Sequence, residues 1–364
     1  MKDASIPGML WVLIYLEWPK RREEADNMQP IRVGVIGLGL IWIREHRPVL
    51  ETLPDHFTFV AFCDTSAERR AAIAHDFPGA TVVADYQSLL QLPTVDVVLV
   101  LTPIALNAPV ALAALRAGKH VWMEKPIARS VTEGQELIRT AQQAGRRLFV
   151  LEQLAYRQAD EQLAALIADG EIGELVLWNR VQHFDADSAQ GALRYDTTPW
   201  RKQADYPLGT LFDGGIHLIA SLSKTFGVPE TVFATGRQLR PDYGAYDQVT
   251  MLFQYANRAV GQLSYAICLP PLQNHFHIYG TEGVIVVEPN RLLIEKPNQP
   301  PRIIDLPVEN ARLQMWQALI QAWQTERDPY YTPARAVQDV AILEMVDRSI
   351  QRGQPMQVVT SERV

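Results

Sequence analysis

Cysteine is scarce in this chain. Cys63 and Cys268 are the only two in 364 residues, too few for a disulfide framework and without metal-ligand spacing. A basic excess is missing too: Lys+Arg 34 against Asp+Glu 41 gives a net charge of −7, and no basic cluster is long enough to follow a nucleic-acid backbone. No apolar run reaches the ~20 residues of a membrane-spanning helix. Internal repeats and low-complexity segments are absent as well. Together these absences argue against a disulfide-stapled secreted domain, a nucleic-acid binder and a membrane protein. What remains is an ordinary globular composition, 48% hydrophobic and 21% charged, in a chain long enough for two domains. A reducing, cytoplasmic setting is expected.

The first thirty residues stand apart. Met9 to Trp18 is apolar and is followed by Lys20-Arg21-Arg22, so the charge trails the apolar run and no small-residue cleavage site is visible. Two readings stand: translation starts at Met28, or the run is an amphipathic arm that packs on a partner subunit.

From residue 31 the apolar period switches again and again. Strands are expected at Ile31–Ile36, Phe57–Cys63, Thr81–Val83, Val95–Leu101, His120–Glu124 and Leu148–Leu151. Helices are expected between them at Ile41–Leu53, Ala67–Asp76, after Asp85, at Ala108–Ala117 and at Val131–Ala144. Thr65 with Glu68, and Ser130 with Glu133, have capping-box spacing. The continuous hydrophobics of 95–101 suit a strand buried on both faces of a parallel sheet. The pattern predicts a doubly wound α/β Rossmann domain over 31–152.

After residue 152 the rhythm changes. A helix at Asp160–Ala168 gives way to a long irregular stretch, and another helix runs from about Gly214 to Phe226. From Thr231 to Ile294 strand follows strand, with turns at 255–258 and 280–283. Residues 153–364 therefore read as an α+β domain with an open, mostly antiparallel sheet.

Three groups of residues carry chemistry. Gly34-Val35-Ile36-Gly37-Leu38-Gly39 lies where strand one turns into helix one, where glycines let backbone amides approach a pyrophosphate. The turn Gly37, Leu38, Gly39, Leu40, Ile41 is the expected phosphate cradle. Asp64 ends strand two at a distance suited to the adenine ribose hydroxyls, which favours NAD slightly over NADP, although Arg69 and Arg70 keep NADP open. Trp42 stands where the third glycine of the pattern belongs, so its indole is expected to push the helix away or to swing outward.

The second group is Glu124-Lys125-Pro126, a carboxylate, an amine and a ring-fixed turn at a strand's carboxyl end, where open parallel sheets bind ligand. The third is Asp213-Gly214-Gly215-Ile216-His217. Asp213 and His217, four apart, share a helix face, so the carboxylate would orient an acid–base imidazole. Gly214 and Gly215 would leave room for a ligand or a second backbone. The plainer reading is an Asp cap beside an unrelated surface histidine. His275 and His277 share a strand face but lack a third ligand, so no metal is expected. His183, Asp185 and Asp187 belong either to a substrate pocket or to a polar loop.

Read together, these motifs resemble the glucose-fructose oxidoreductase / inositol dehydrogenase / MocA family of nicotinamide-dependent oxidoreductases. The resemblance runs from Ile31 to about Val358. It includes Thr102-Pro103, Ala117-Gly118-Lys119-His120-Val121, Tyr156-Arg157, Gly170-Glu171-Ile172-Gly173, Trp200-Arg201 and Gly280-Thr281-Glu282-Gly283. It implies hydride transfer between NAD or NADP and a hydroxyl or carbonyl carbon of a small oxygenated molecule such as a sugar or cyclitol. It also implies a homodimer or homotetramer built through the C-terminal sheet, with no nucleic-acid or membrane partner.

By position, Lys125 would hold the substrate oxygen and His217 would be the acid–base, supported by Asp213. Thr102, Pro103, Asn107, Glu124 and Lys125 would join the glycine turn around the cofactor. Arg157, Trp200, Arg201 and His217 would meet substrate. The family often has Asn after Thr-Pro and His a few residues on, where this chain has Ile104 and Asn107. Two alternatives stand beside the oxidoreductase reading: an NAD-dependent glycosidase on the same fold that oxidises only transiently, and, motivated by Trp42 in the glycine's place, a cofactor-binding regulator without turnover.

Overall fold

The computed structural model describes residues 29–185, 198–202, 207–241 and 244–358. The N-terminal run, Asp187 and much of the 180–208 stretch therefore lie outside the described residues.

Six strands form the first sheet: β1 Ile31–Ile36, β2 Phe57–Cys63, β3 Thr81–Val83, β4 Val97–Val100, β5 His120–Glu124 and β6 Leu148–Leu151. Their order is β3-β2-β1-β4-β5-β6 and every pairing is parallel. All of β4 and β6 is buried, as unbroken apolar strands under helices on both faces should be. The strand order reverses between β1 and β4, which opens a crevice at their carboxyl ends.

The helices around this sheet are α1 (40–50), α2 Ala67–Asp76, α3 Tyr86–Leu90, α4 Ile104–Arg116 and α5 Val131–Ala144. The cap of α2 is Ser66, whose side chain accepts from Arg69 N, and not Thr65 as the spacing suggested. Ser130 does cap α5, while Glu133 reaches back to Arg129 N.

Helix α1 corrects the expectation at Trp42. The indole neither swings out nor holds the helix off. It is 1% exposed, with its ring 5.5 Å from Phe59 and 5.9 Å from Phe62, both on β2. The helix makes room by widening into a π turn over Trp42–His46, and its start is kept, with Ile43 N bonded to Gly39 O.

Beyond β6 come α6 Gln158–Ala168 and β7 Leu175–His183, a strand inside the stretch read as irregular. A short helix, α7 Pro199–Lys202, precedes a π turn at Leu211–Gly215 that runs into α8 Ile216–Phe226. The strands β8 Thr231–Arg237, β9 Gln248–Gln254, β10 Val260–Ala266, β11 His275–Gly280, β12 Val284–Glu288, β13 Arg291–Glu295 and β14 Arg302–Asp305 follow. Helices α9 Ala311–Gln324 and α10 Pro333–Arg352 and the short β15 Met356–Gln357 complete the described chain.

The second sheet runs β14-β13-β12-β11-β7-β10-β9-β8-β15 and is antiparallel except where β10 meets β7. Burial alternates along β8 and β9, the mark of a sheet with one covered face. The last two helices return to the first sheet: Trp316 of α9 packs on Phe57 and Trp122, and α10 lies against α5. No described helix is long and apolar enough to cross a membrane.

Candidate active site

The turn after β1 is tight for a steric reason. Gly37 has φ +99°, and a Cβ there would sit 2.4 Å from the Leu101 carbonyl oxygen at the end of β4. At Gly39 an added Cβ would meet nothing nearer than Arg69 Nη1 at 3.8 Å, so the backbone is open there. With α1 starting at Leu40, this is a cradle for a pyrophosphate at a helix N-terminus.

Asp64 is buried at the end of β2 and braces that cradle. Its Oδ2 accepts from Leu38 N at 2.8 Å and its Oδ1 from Ser66 N at 2.8 Å, while Arg69 lies 3.5 Å from Oδ2. Arg70 Nη1 binds the Asp64 and Thr65 carbonyls instead.

Thr102 and Pro103 close the same crevice ahead of α4. Thr102 Oγ1 donates to Asn107 Oδ1, and Asn107, 1% exposed, donates to the Glu124 carbonyl at 3.3 Å. Asn107 thus ties the crevice wall to the end of β5 from inside.

Glu124 also faces inward. His46 Nε2 lies 2.7 Å from its Oε1, Arg312 Nη1 lies 3.7 Å from it, and Oε2 accepts from Lys125 N at 3.1 Å. Burial works against charge on both His46 and Glu124; the His46 hydrogen bond, with Arg312 adding to it, holds Glu124 low as a carboxylate, while burial and the Arg312 charge push the imidazole down. Glu124 therefore fixes the backbone that presents Lys125, whose bond to Pro126 is cis.

Lys125 Nζ donates to the Asp213 carbonyl at 2.7 Å and to Asp213 Oδ1 at 3.1 Å. Arg201 Nε donates to Asp213 Oδ2 at 2.5 Å, and its guanidinium lies 4.1 Å from the Trp200 ring centroid. Burial alone would raise the Asp213 carboxyl, but the Lys125 and Arg201 charges overcome it and hold the group well below the usual carboxylate range. One carboxylate thus sits between two cations.

His217 does not lean on Asp213. Its Nδ1 lies 2.7 and 2.8 Å from the two oxygens of Glu152, a fully buried residue that directly follows β6. Glu152 is the residue that sequence reasoning missed. Its signal was its place, a carboxylate at the end of a fully buried parallel strand next to the one ending in Glu124-Lys125. The glycines after Asp213 do not leave a void either: the space a Cβ would take at Gly214 is held by the Tyr265 hydroxyl, and at Gly215 by Leu211.

The remaining candidates divide. Arg201 shares the Asp213 carboxylate with Lys125, and Trp200 lies under the Arg201 guanidinium. Arg157 goes elsewhere, paired with Asp160 at 3.8 Å and Glu309 at 3.5 Å beside α6. His183 bonds Ser264 and Asp185 lies 3.5 Å from Arg240. His275 and His277 share a face with ring centroids 5.0 Å apart, His275 bonded to Asn179. Among the described residues no three metal-ligating side chains come together.

Comparison with known proteins supplies the context for this geometry. A family model described as an oxidoreductase family with an NAD-binding Rossmann fold matches residues 31–152, and the GFO/IDH/MocA C-terminal domain matches 161–286. Human trans-1,2-dihydrobenzene-1,2-diol dehydrogenase is 31% identical over 262 residues, 70% of this chain and 73% of the enzyme. The scyllo-inositol 2-dehydrogenase (NADP(+)) IolW of Bacillus subtilis is 28% identical over 236 residues, 65% of this chain and 62% of IolW. Among solved structures, an oxidoreductase from Thermotoga maritima superposes with a TM-score of 0.84 at 26% identity, covering 91% of this chain and 99% of its own. A levoglucosan dehydrogenase in complex with NADH and levoglucosan shares the fold, at TM-score 0.77 and 21% identity over 91% of this chain and all of its own.

Proposed function

The chain belongs to the GFO/IDH/MocA family of NAD(P)-dependent oxidoreductases, and from that premise we propose a dehydrogenase of small cyclic polyols in which Lys125, Asp213 and His217 carry the chemistry. The observation behind this reading is the meeting of Lys125 at the end of β5 with Asp213 and Arg201 from the second half of the chain.

The glycine turn fits a dinucleotide, since a side chain at Gly37 would collide with Leu101 and Gly39 leaves its backbone open. Gly37 to Ile41 would hold the pyrophosphate, and Asp64 would take the adenine ribose with whatever lone pairs Leu38 N and Ser66 N leave. A ribose hydroxyl can donate to that carboxylate, whereas a 2′-phosphate would be repelled, so NAD is the preferred cofactor. Bound there, the nicotinamide supplies a hydride acceptor or donor.

The chain's own residues do the rest. Lys125 stabilises the substrate oxygen as it gains negative charge, and Asp213 keeps the ammonium aimed. Arg201, flat against Trp200, presents a second cation with a planar set of donors, suited to a neighbouring hydroxyl. His217 takes or returns the hydroxyl proton. Residues 31–152 and 153–364 act as the cofactor and substrate units. Pairing of chains through the open sheet belongs to the same proposal.

The substrate names carried by the relatives set the trial panel: trans-1,2-dihydrobenzene-1,2-diol, scyllo-inositol and levoglucosan, each with NAD or NADP. At least one should reduce the cofactor, and His217→Ala should slow it by on the order of 10²–10⁴. Cofactor binding without turnover of any panel member would speak for a regulator, and glycoside hydrolysis without net NADH for the glycosidase.

A further inference from the structure

We propose that Glu152 is a positioning residue of the same site, holding His217 as the Nδ1–H tautomer so that Nε2 is the nitrogen that exchanges a proton with substrate. This rests on the reading of His217 as the acid–base.

The argument starts in the sheet. Glu124 of β5 is in register with Leu151 of β6, so the next residues, Lys125 and Glu152, leave two adjacent strand ends side by side. Adjacent strands lie about 4.8 Å apart. Residues four apart on a helical segment lie roughly 5–6 Å apart, a near match. The segment that crosses the strand ends carries Asp213 and His217, and each meets the strand end of opposite character: Asp213 with Lys125, His217 with Glu152. The contact is a second rung of one ladder.

Chemistry then fixes the tautomer. Glu152 has no exposed surface, both its oxygens lie within 2.8 Å of His217 Nδ1, and Oε1 also accepts from Leu154 N at 2.9 Å. An ionised carboxylate only accepts, so the proton of a neutral imidazole must sit on Nδ1. His217 Nε2 has no hydrogen-bond partner among the described residues, and the side chain keeps 21% exposure. Nε2 is therefore the nitrogen left for a ligand.

A second buried carboxyl stands within reach of the Glu152 charge. Asp339, 2% exposed, accepts from Tyr331 Oη at 2.7 Å and Ser223 Oγ at 2.9 Å. Burial, with the Glu152 charge adding to it, raises Asp339 to about 7. Near neutrality much of Asp339 is then protonated.

The test reads the imidazole nitrogens directly by NMR of the full chain labelled with ¹⁵N-histidine, with His217 assigned by comparison with His217→Asn. In the wild type the neutral ring should show Nδ1 protonated and Nε2 bare. Glu152→Leu should lose that signature and lower turnover of any active panel substrate by on the order of 10²-fold or more. Glu152→Asp should restore the tautomer at least in part, which a merely structural role would not do.

A neutral His217 protonated on Nε2 in the wild type overturns the proposal, as does an unchanged Nδ1–H signature in Glu152→Leu. If Glu152→Leu does not fold, the wild-type spectrum decides alone. Because the spectrum needs no substrate, a silent substrate panel counts against the proposed function and leaves this inference to its own result.

Discussion

Replacing Lys125 by Met tests the site at the point where stability and catalysis should separate. The Lys125–Asp213 pair is nearly dry, with side chains 10% and 13% exposed and Nζ 3.1 Å from Oδ1. At an effective dielectric of about 20 that distance corresponds to a gross attraction of about 5 kcal/mol. The net loss should be smaller. Desolvation already opposed the pair, and Arg201 still neutralises Asp213 after the substitution. What disappears is the set of charge-assisted hydrogen bonds made by Nζ, of order 1.5–3 kcal/mol.

Catalysis should suffer more, because no other donor replaces the ammonium at the substrate oxygen. Losing one such donor costs on the order of 10²–10³ in turnover. The variant should therefore melt modestly lower and bind NADH almost as well, since the glycine turn and Asp64 are untouched. It should oxidise its best substrate at least about a hundredfold more slowly. Calorimetry, fluorescence titration and absorbance of NADH at saturating substrate read the three quantities separately. A Lys125→Met protein with intact NADH affinity and turnover within about tenfold of the wild type would refute the mechanism.

Two further expectations concern the frame around the site. Asp339 is raised to about 7 by burial, against an ordinary value of 3.8, so folding favours its protonated form. Its contribution is full below pH ~4 and fades as pH rises through ~7, a change of about 4 kcal/mol at 1.36 kcal/mol per unit. Asp339→Asn should flatten this part of the stability profile in denaturant titrations at pH 5 and pH 8, and an unchanged slope would refute it. Trp42→Gly, which restores the glycine of the dinucleotide pattern, should destabilise the protein by on the order of 3–5 kcal/mol because it empties an aromatic core position. NADH affinity should not improve; a tighter-binding, equally stable variant would mean the indole obstructs the cofactor after all.

Much of the frame could be read from period alone. Val97–Val100 and Leu148–Leu151 are continuous apolar runs because helices cover both faces of their sheet, and β8 and β9 alternate because their sheet has one face open. The missing strand, Leu175–His183, breaks that logic at Arg180. This guanidinium occupies an inward position, 9% exposed and 5.0 Å from the Phe276 ring centroid, where a pattern reader expects an apolar residue. Trp42 misled for a related reason. The rule that a bulky residue must hold a helix away assumes a regular α-helix, and the chain answers with a π turn that stores the indole beneath it.

The candidate site residues could be named from the sequence, but their partners could not. Spacing joined Asp213 to His217 because four residues on one helix is a local relation. The pairing that forms is set by the sheet below. Lys125 and Glu152 come from segments separated by a whole helix, and only the register of β5 on β6 makes them neighbours. Once they are neighbours, charge selects the match. Asp213 beside Glu152 would set two buried carboxylates together, while His217 beside Lys125 would leave the imidazole without an acceptor. The observed arrangement gives each group an opposite partner and, among the described residues, leaves Nε2 of His217 as the unclaimed nitrogen. A parallel sheet thus does more than raise residues to its edge: by ordering its strands it decides which of them can orient the histidine.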